Sequence, residues 1–395
     1  MRHKRTVCAG IAVCAVFAIA TFAQQKPDKT PSIHVSKPWT GGSPEEAQAA
    51  SKAGGTIPLS TYSIIATKDP LPRSKKPQSR TGTIVGTNPF ATSLSGATIF
   101  AVLVPVVIKI GSVTFDPAAP SACDGGVSAV DRFNASPLVQ PVPGLTFNGV
   151  NVGDVQYVDG FMRAEFWNAT GGNPAYANPI SFTTLPAATI DATAYGTITR
   201  SGCATLGVVY EASLSTQLRA LLQSLTQSGA VSTTKVVFFL VNSVAQSTVN
   251  PPSLPGSSGC CIGGYHTATG SPPQFWAIMD YEATGTLSAN DIAISSHEIA
   301  EFMNDPLGNN QTPAWGGIGQ VAAGSCQGNL EVGDPLTRTN FPLSLNGYSY
   351  HPQELAFFSW FFNAPGTASL GAGGKFSSGG TFGGPSQACP PGGTY

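Results

Sequence analysis

The sequence predicts an α+β fold, and three observations carry that prediction. Short apolar runs rich in β-branched residues recur between turn-forming residues, as in 98–110 (TIFAVLVPVVIKI) and 235–241 (KVVFFLV). Two other stretches carry apolar residues at helical spacing: Leu218, Leu221, Leu222 and Leu225 in one, Ile292, Ile294, Ile299 and Phe302 in the other. These signals are segregated, with a loop-rich β half over 91–205 joined to an α/β half over 206–365.

At the N-terminus, Arg2, His3, Lys4 and Arg5 form a basic head before the apolar run 7–22. Small residues at Ala18, Ala20 and Ala23 offer cleavage points, so 1–23 is expected to be a secretory signal. The apolar run is short for a span of about 20 residues, and no stable membrane insertion is expected after its removal. The expected location is secreted, extracellular or periplasmic. Six cysteines then remain: Cys123, Cys203, Cys260, Cys261, Cys326 and Cys389. An even number in an exported chain favours disulfides. The adjacent Cys260 and Cys261 are expected to bond to different partners. A structural zinc cluster is disfavoured because there is no C-x-x-C pair.

Residues 24–90 read as a flexible, basic, Pro/Ser-rich linker, with room for part of it to pack as an arm. Residues 98–110 read as a strand. Over 153–167, Tyr157, Phe161, Met162, Phe166 and Trp167 recur at helical spacing and predict a short buried helix. A strand at 208–212 leads to a helix capped by Ser215 and ended by Gly229. Strands follow at 235–241 and 274–280. The next helix, about 291–303, is capped by Ser288 or Asn290 and stopped by Pro306 and Gly308. Residues 352–362 read as a final helix or buried segment, and 366–395 as a Gly/Ser-rich tail.

Charge is sparse, 10% of the chain, yet nine acidic residues and one base, Arg338, lie between Asp280 and Glu354. Such an excess attracts cations or basic ligands. There is no phosphate-loop signature, no nucleic-acid module and no repeat of 20–50 residues, so no nucleic-acid partner is expected.

The chemistry centres on 296–306 (SHEIAEFMNDP). In a helix, His297, Glu301 and Asp305 share one stripe, and Glu298 projects about 100° round from it. An imidazole and a carboxylate four residues apart, with a second carboxylate beside the first, suit a metal site with a general base. His266 (in GGYH, 263–266) either approaches this site from a neighbouring strand or is an ordinary hydrogen-bonded loop residue. Thiol catalysis by Cys260 or Cys261 with His266 is disfavoured in an oxidising compartment.

The helix resembles that of the zincin peptidases, with Glu301 where their second histidine stands. In one zincin group the third ligand is a downstream glutamate, followed by an aspartate that orients a histidine ligand. Glu331 and Asp334 lie 34 and 37 residues after His297 and match that order. The resemblance implies His297, Glu301 and Glu331 as metal ligands, with Glu298 as general base. His351 or Tyr348 would steady an oxyanion. Zinc is the first expectation for the divalent metal, and calcium or manganese the carboxylate-rich alternatives. The C-terminal part also resembles the phosphate-induced protein/Exordium family of secreted proteins. That resemblance rests on GGYH at 263–266, SHEIAEFMNDP at 296–306, Trp315 and LEVGDP at 330–335. It implies an extracellular setting without specifying a reaction. The expected function is therefore an exported zincin-like protein acting as a metal-dependent peptidase on a peptide substrate. The alternative is a non-enzymatic extracellular protein that binds cell-wall polysaccharide or a protein partner.

Overall fold

The computed structural model describes residues 37–66, 78–287, 289–316, 326–362, 368–370 and 375–383. The expected signal segment and the Ser288 cap lie outside the described residues. The fold is α+β, organised around a mixed sheet of seven strands.

Its central strand, Ile99–Ile110, is buried at all but two positions, Phe100 and Lys109. It pairs in parallel with Val236–Asn242 on one side. On the other it pairs first with Ile180–Thr184, along 99–103, and then with Ala188–Asp191, along 106–109. Pro105 falls in the gap between these two neighbours, where its missing N–H costs no ladder bond on that side. Strand Val236–Asn242 then pairs in parallel with Gln274–Tyr281, which pairs antiparallel with the edge strand Gly264–Thr269.

Alternation along the strands feeds two cores. Phe238 and Leu240 face one; Val237, Phe239 and Val241 face the other. The second core is closed by helix Glu211–Gln227 through Leu214, Leu218 and Leu222. That helix begins four residues before the expected Ser215 cap, and Ser215 is buried within it. The larger core is closed by the helix Ala293–Asn304, hereafter the site helix, which packs on the edge strand and on Gln274–Tyr281. Phe302 meets Phe238 and Phe275 edge-on at 5.8 Å each. Apart from Ile294, every residue of the site helix is buried. A helix closed in on all sides must pair its polar groups internally. The expected short helix, Tyr157–Glu165, packs against it.

Two stretches are more ordered than their composition suggests. Within the expected linker, Pro44–Lys52 is a helix with a Ser43/Glu46 capping box, and Leu59–Ala66 pairs antiparallel with Gln78–Val85. Trp39, Ile57, Tyr62 and Ile84 from this arm enter the larger core. Ala368, Leu370 and Phe376 from the expected tail enter it too. In 352–362 only Phe358–Phe361 is helical. The preceding residues run extended, with Ala356 N–H donating to the Val332 carbonyl (2.8 Å) and Phe357 N–H to that of Phe376 (2.8 Å). A segment apolar on every side gives no period to separate the two states.

Cys123 is bonded to Cys203 across 80 residues of chain. Cys260 and Cys261 are bonded to each other, which corrects the expectation of separate partners. The peptide between them is cis, and their Cα atoms stand 3.0 Å apart. Cys326 is disulfide-bonded as well. Among the described residues, no helix is long and apolar enough to cross a membrane.

Candidate metal centre

Two pieces of chain converge on the site helix. The helix supplies His297, Glu298 and Glu301. The edge strand supplies His266, which lies opposite Ala277 in the sheet register. The 330–336 loop, ending in the short turn Asp334–Leu336, supplies Glu331 and Asp334. All six residues are buried; His297 is the most open, at 8%.

His297 Nε2 lies 3.0 Å from Glu301 Oε2 and 3.5 Å from Asp334 Oδ1. His266 Nδ1 lies 3.7 Å from Glu298 Oε2 and 3.9 Å from Glu301 Oε2. Two groups able to hold a metal ion follow: His297 with Glu301 and Asp334, and His266 with Glu298 and Glu301. Ligands on one cation, bonded at about 2.0–2.3 Å, stand roughly 3–4 Å apart, and these separations fall in that range.

Both imidazoles are held by the nitrogen that faces away from the carboxylates. His266 Nε2 donates to the Asp305 carbonyl oxygen at 2.9 Å, so the Nδ1 lone pair of the neutral ring faces Glu298 and Glu301. Gln353 Nε2 donates to the Gly333 carbonyl at 2.6 Å, which fixes the amide and turns Oε1 toward His297. His297 Nδ1 donates to that oxygen at 3.1 Å and leaves Nε2 for Glu301 and Asp334. Gln353 is itself placed by its N–H donating to Ser296 Oγ at 2.8 Å. Ligating histidines characteristically have the far nitrogen engaged in this way.

The carboxylates are steered too. Glu301 Oε1 accepts from Gly333 N–H (3.1 Å), Glu331 Oε1 from Asn329 Nδ2 (2.8 Å), and Asp334 Oδ2 from Gln327 Nε2 (3.0 Å). The Oε2 atoms of Glu298 and Glu331 are buried and have no hydrogen-bond partner among the described residues. Two orphaned carboxylate oxygens beside two imidazole lone pairs are the donor set a divalent cation satisfies.

Burial, followed by the charges of Asp334 and Glu298, pushes Glu301 well above the usual carboxylate range. Burial and the Glu301 charge do the same to Glu331. Asp305 rises to about 6 through burial, restrained by His266 and by backbone donors. For His266 burial alone would favour the neutral ring, but Glu298, Glu331 and Asp305 overcome it and lift the ring to about 9.

Two glycines in the motifs act by size. A Cβ on Gly264 would stand 2.7 Å from Glu298 Cγ and 2.6 Å from the Ile278 carbonyl oxygen. The edge strand can therefore press directly on the site helix. Gly333 does the same for the loop against His297.

The expected ligands His297 and Glu301 stand together. Glu331 lies beside them, electrostatically coupled to Glu301, but the third member of the His297 group is Asp334, expected only to orient a histidine. Glu298 faces His266. His351 is engaged elsewhere: its Nδ1 meets Asp291 Oδ2 at 2.7 Å and its N–H donates to Asp291 Oδ1 at 2.9 Å, just before the site helix. Tyr348 stacks under the Arg132 guanidinium. Trp315 packs edge-on against Trp360 and Phe361 in the core. Gln353 carried no signal in the sequence, because a lone amide matches no ligand or acid–base pattern.

No protein-family model, curated protein or solved structure matches this chain.

Proposed function

We propose that this chain is an exported divalent-cation-binding protein whose ion is held by His297, Glu301 and Asp334, with Glu331 beside them. The observation that carries the reading is the pinning of His297. Gln353 takes its Nδ1, so Nε2 is presented to two buried carboxylates at 3.0 and 3.5 Å. Imidazole nitrogen disfavours calcium, and the carboxylates suit zinc or manganese. Bound there, the ion ties the site helix to the 330–336 loop. Metal analysis of the purified secreted chain tests this: about one equivalent or more of zinc or manganese, lost in His297→Ala, supports it. Metal-free protein that gains no thermal stability from either ion overturns it.

A second reading, hydrolysis of peptides, is favoured by one observation. Glu298 directly follows the first proposed ligand on the helix and keeps a buried oxygen in the same cluster with no partner among the described residues. When bound, the cation supplies Lewis acidity toward a carbonyl oxygen. Glu298, whose Oε2 lies 3.7 Å from His266 Nδ1, would then accept the proton of the attacking water. Peptide hydrolysis lost in Glu298→Gln with metal retained supports this. Equal activity in wild type and variant rejects it.

A further inference from the structure

We propose that the centre holds two cations, the second bound by His266 and Glu298 and joined to the first through Glu301. This rests on the first cation position proposed above and deepens it.

Glu301 carries the argument. Its Oε1 is occupied by Gly333 N–H at 3.1 Å, so only Oε2 is left to face inward. That single oxygen is the atom 3.0 Å from His297 Nε2 and 3.9 Å from His266 Nδ1. One carboxylate oxygen between two imidazole nitrogens, each with its far side hydrogen-bonded, is the geometry of a shared ligand. Carboxylate-bridged cations stand roughly 3.5–4 Å apart.

Glu298 supplies the independent observation. Its side chain is 5% exposed, its Oε2 lies 3.7 Å from His266 Nδ1, and that oxygen has no hydrogen-bond partner among the described residues. A buried carboxylate oxygen left this way is costly unless something positive meets it. His266 meets it poorly as a hydrogen-bond donor at 3.7 Å, but well as a co-ligand.

Charge balance points the same way. Asp305 is served by the backbone N–H groups of Asn309 and Asn310 at 2.9 and 3.0 Å. Ionised, Glu298, Glu301, Glu331 and Asp334 carry four negative charges, and one divalent cation offsets only half of them. Two offset all four, with both imidazoles neutral as ligands must be. The assignment makes Glu298 a ligand instead of a proton acceptor. It therefore competes with the hydrolytic reading of that residue, and stoichiometry decides between them.

The test is native mass spectrometry of the full secreted chain titrated with Mn2+, with electron paramagnetic resonance of the loaded samples. Two ions are expected in the wild type, with an exchange-coupled spectrum. Glu298→Gln, nearly the same shape as the native residue, should bind one ion with an uncoupled spectrum, and His266→Asn should do the same. Asp334→Asn should also lose one ion, from the other side. Glu301→Gln should weaken both positions by tenfold or more. Thermal melts of each variant show that it is folded, and Glu298→Gln alone suffices if His266→Asn does not fold. A single Mn2+ in the wild type, kept in Glu298→Gln and lost in His297→Ala, overturns the second position and leaves the first standing. No Mn2+ bound at all overturns both. Two ions persisting unchanged in Glu298→Gln reject the ligands assigned here.

Discussion

Gly333 lies so close to His297 that a Cβ on it would stand 2.4 Å from the ring Nδ1 and 2.6 Å from Cγ. The backbone of Gly333 has φ −86° and ψ −31°, a conformation any residue adopts. The constraint is therefore purely spatial. In Gly333→Ala the methyl must displace either the imidazole or the loop that carries Asp334. Both outcomes disturb the proposed ligand set, and misplacing a ligand or its support costs about 10–100-fold in metal affinity. Isothermal titration with Mn2+ should show a loss of that size in a folded protein. Wild-type affinity would mean that His297 is not a ligand.

Gln353 couples the ring to the loop. It accepts from His297 with Oε1 and donates to the Gly333 carbonyl with Nε2. Gln353→Leu removes both partners while keeping most of the bulk. A buried carbonyl left unpaired costs about 1–3 kcal/mol. The freed ring can also exchange tautomers, so that Nε2 carries the proton and no longer presents a lone pair. We expect lower stability of the cation-free protein in chemical denaturation, by an amount in that range, and weaker Mn2+ binding as well. Gln353→Glu keeps an acceptor for His297 but loses the donor to Gly333, so it should recover more of the binding than of the stability.

Much of this candidate site was legible because its helical residues are close in sequence. His297, Glu298 and Glu301 sit within five consecutive residues, and the 3.6-residue period places His297 and Glu301 together without any tertiary information. The loop was harder. Sequence order pointed to Glu331 as ligand and Asp334 as its support, while the turn Asp334–Leu336 puts Asp334 at 3.5 Å from the ring. A three-residue offset in an irregular loop is set by backbone dihedrals that residue types do not reveal. His266 depends on strand pairing: only the antiparallel register with Gln274–Tyr281 brings it beside the helix. The N-terminal arm was hidden by its Pro, Ser and Lys content, because burial there rests on scattered residues such as Trp39 and Tyr62 and not on a period. The α+β class itself needed only the segregation of apolar periods.

Asp305 ends the site helix and holds the turn after it. Its Oδ1 accepts from Asn309 and Asn310 N–H, and its carbonyl accepts from His266 Nε2. Asp305→Ala leaves the buried Asn310 N–H and the more exposed Asn309 N–H without their acceptor and loosens the turn that anchors His266. A loss of about 1–3 kcal/mol is expected, together with weakened binding on the His266 side of the centre. Urea denaturation and Mn2+ titration of the same variant separate the two effects. Unchanged stability would show that the turn is held by its backbone alone.

The pH dependence of the cation-free protein should run opposite to that of the loaded one. Glu301 and Glu331 are held above the carboxylate range, chiefly by burial, and Asp305 titrates at about 6. Each keeps a proton in the folded chain after the unfolded chain has released it. Folding is then favoured at low pH, and that advantage is lost as pH rises through the folded value. His266 acts in the same direction. Burial opposes its charge, yet the surrounding carboxylates raise it to about 9. Its contribution is complete below about 6.5, the ordinary histidine value, and gone once pH passes 9. Asp159, Glu165 and Asp280 are raised mainly by burial, and His351 by its bond to Asp291, so they add to the trend without reversing it. After chelation, the melting temperature should therefore fall steadily between pH 6 and pH 9. A bound divalent cation replaces those protons, so its affinity should rise over the same interval and protons should be released on binding. Calorimetry in two buffers of different ionisation enthalpy measures that release directly. A chelated protein that melts higher at pH 9 than at pH 6, or Mn2+ binding that releases no protons, would show that the buried carboxylates are already ionised and neutralised by some other group.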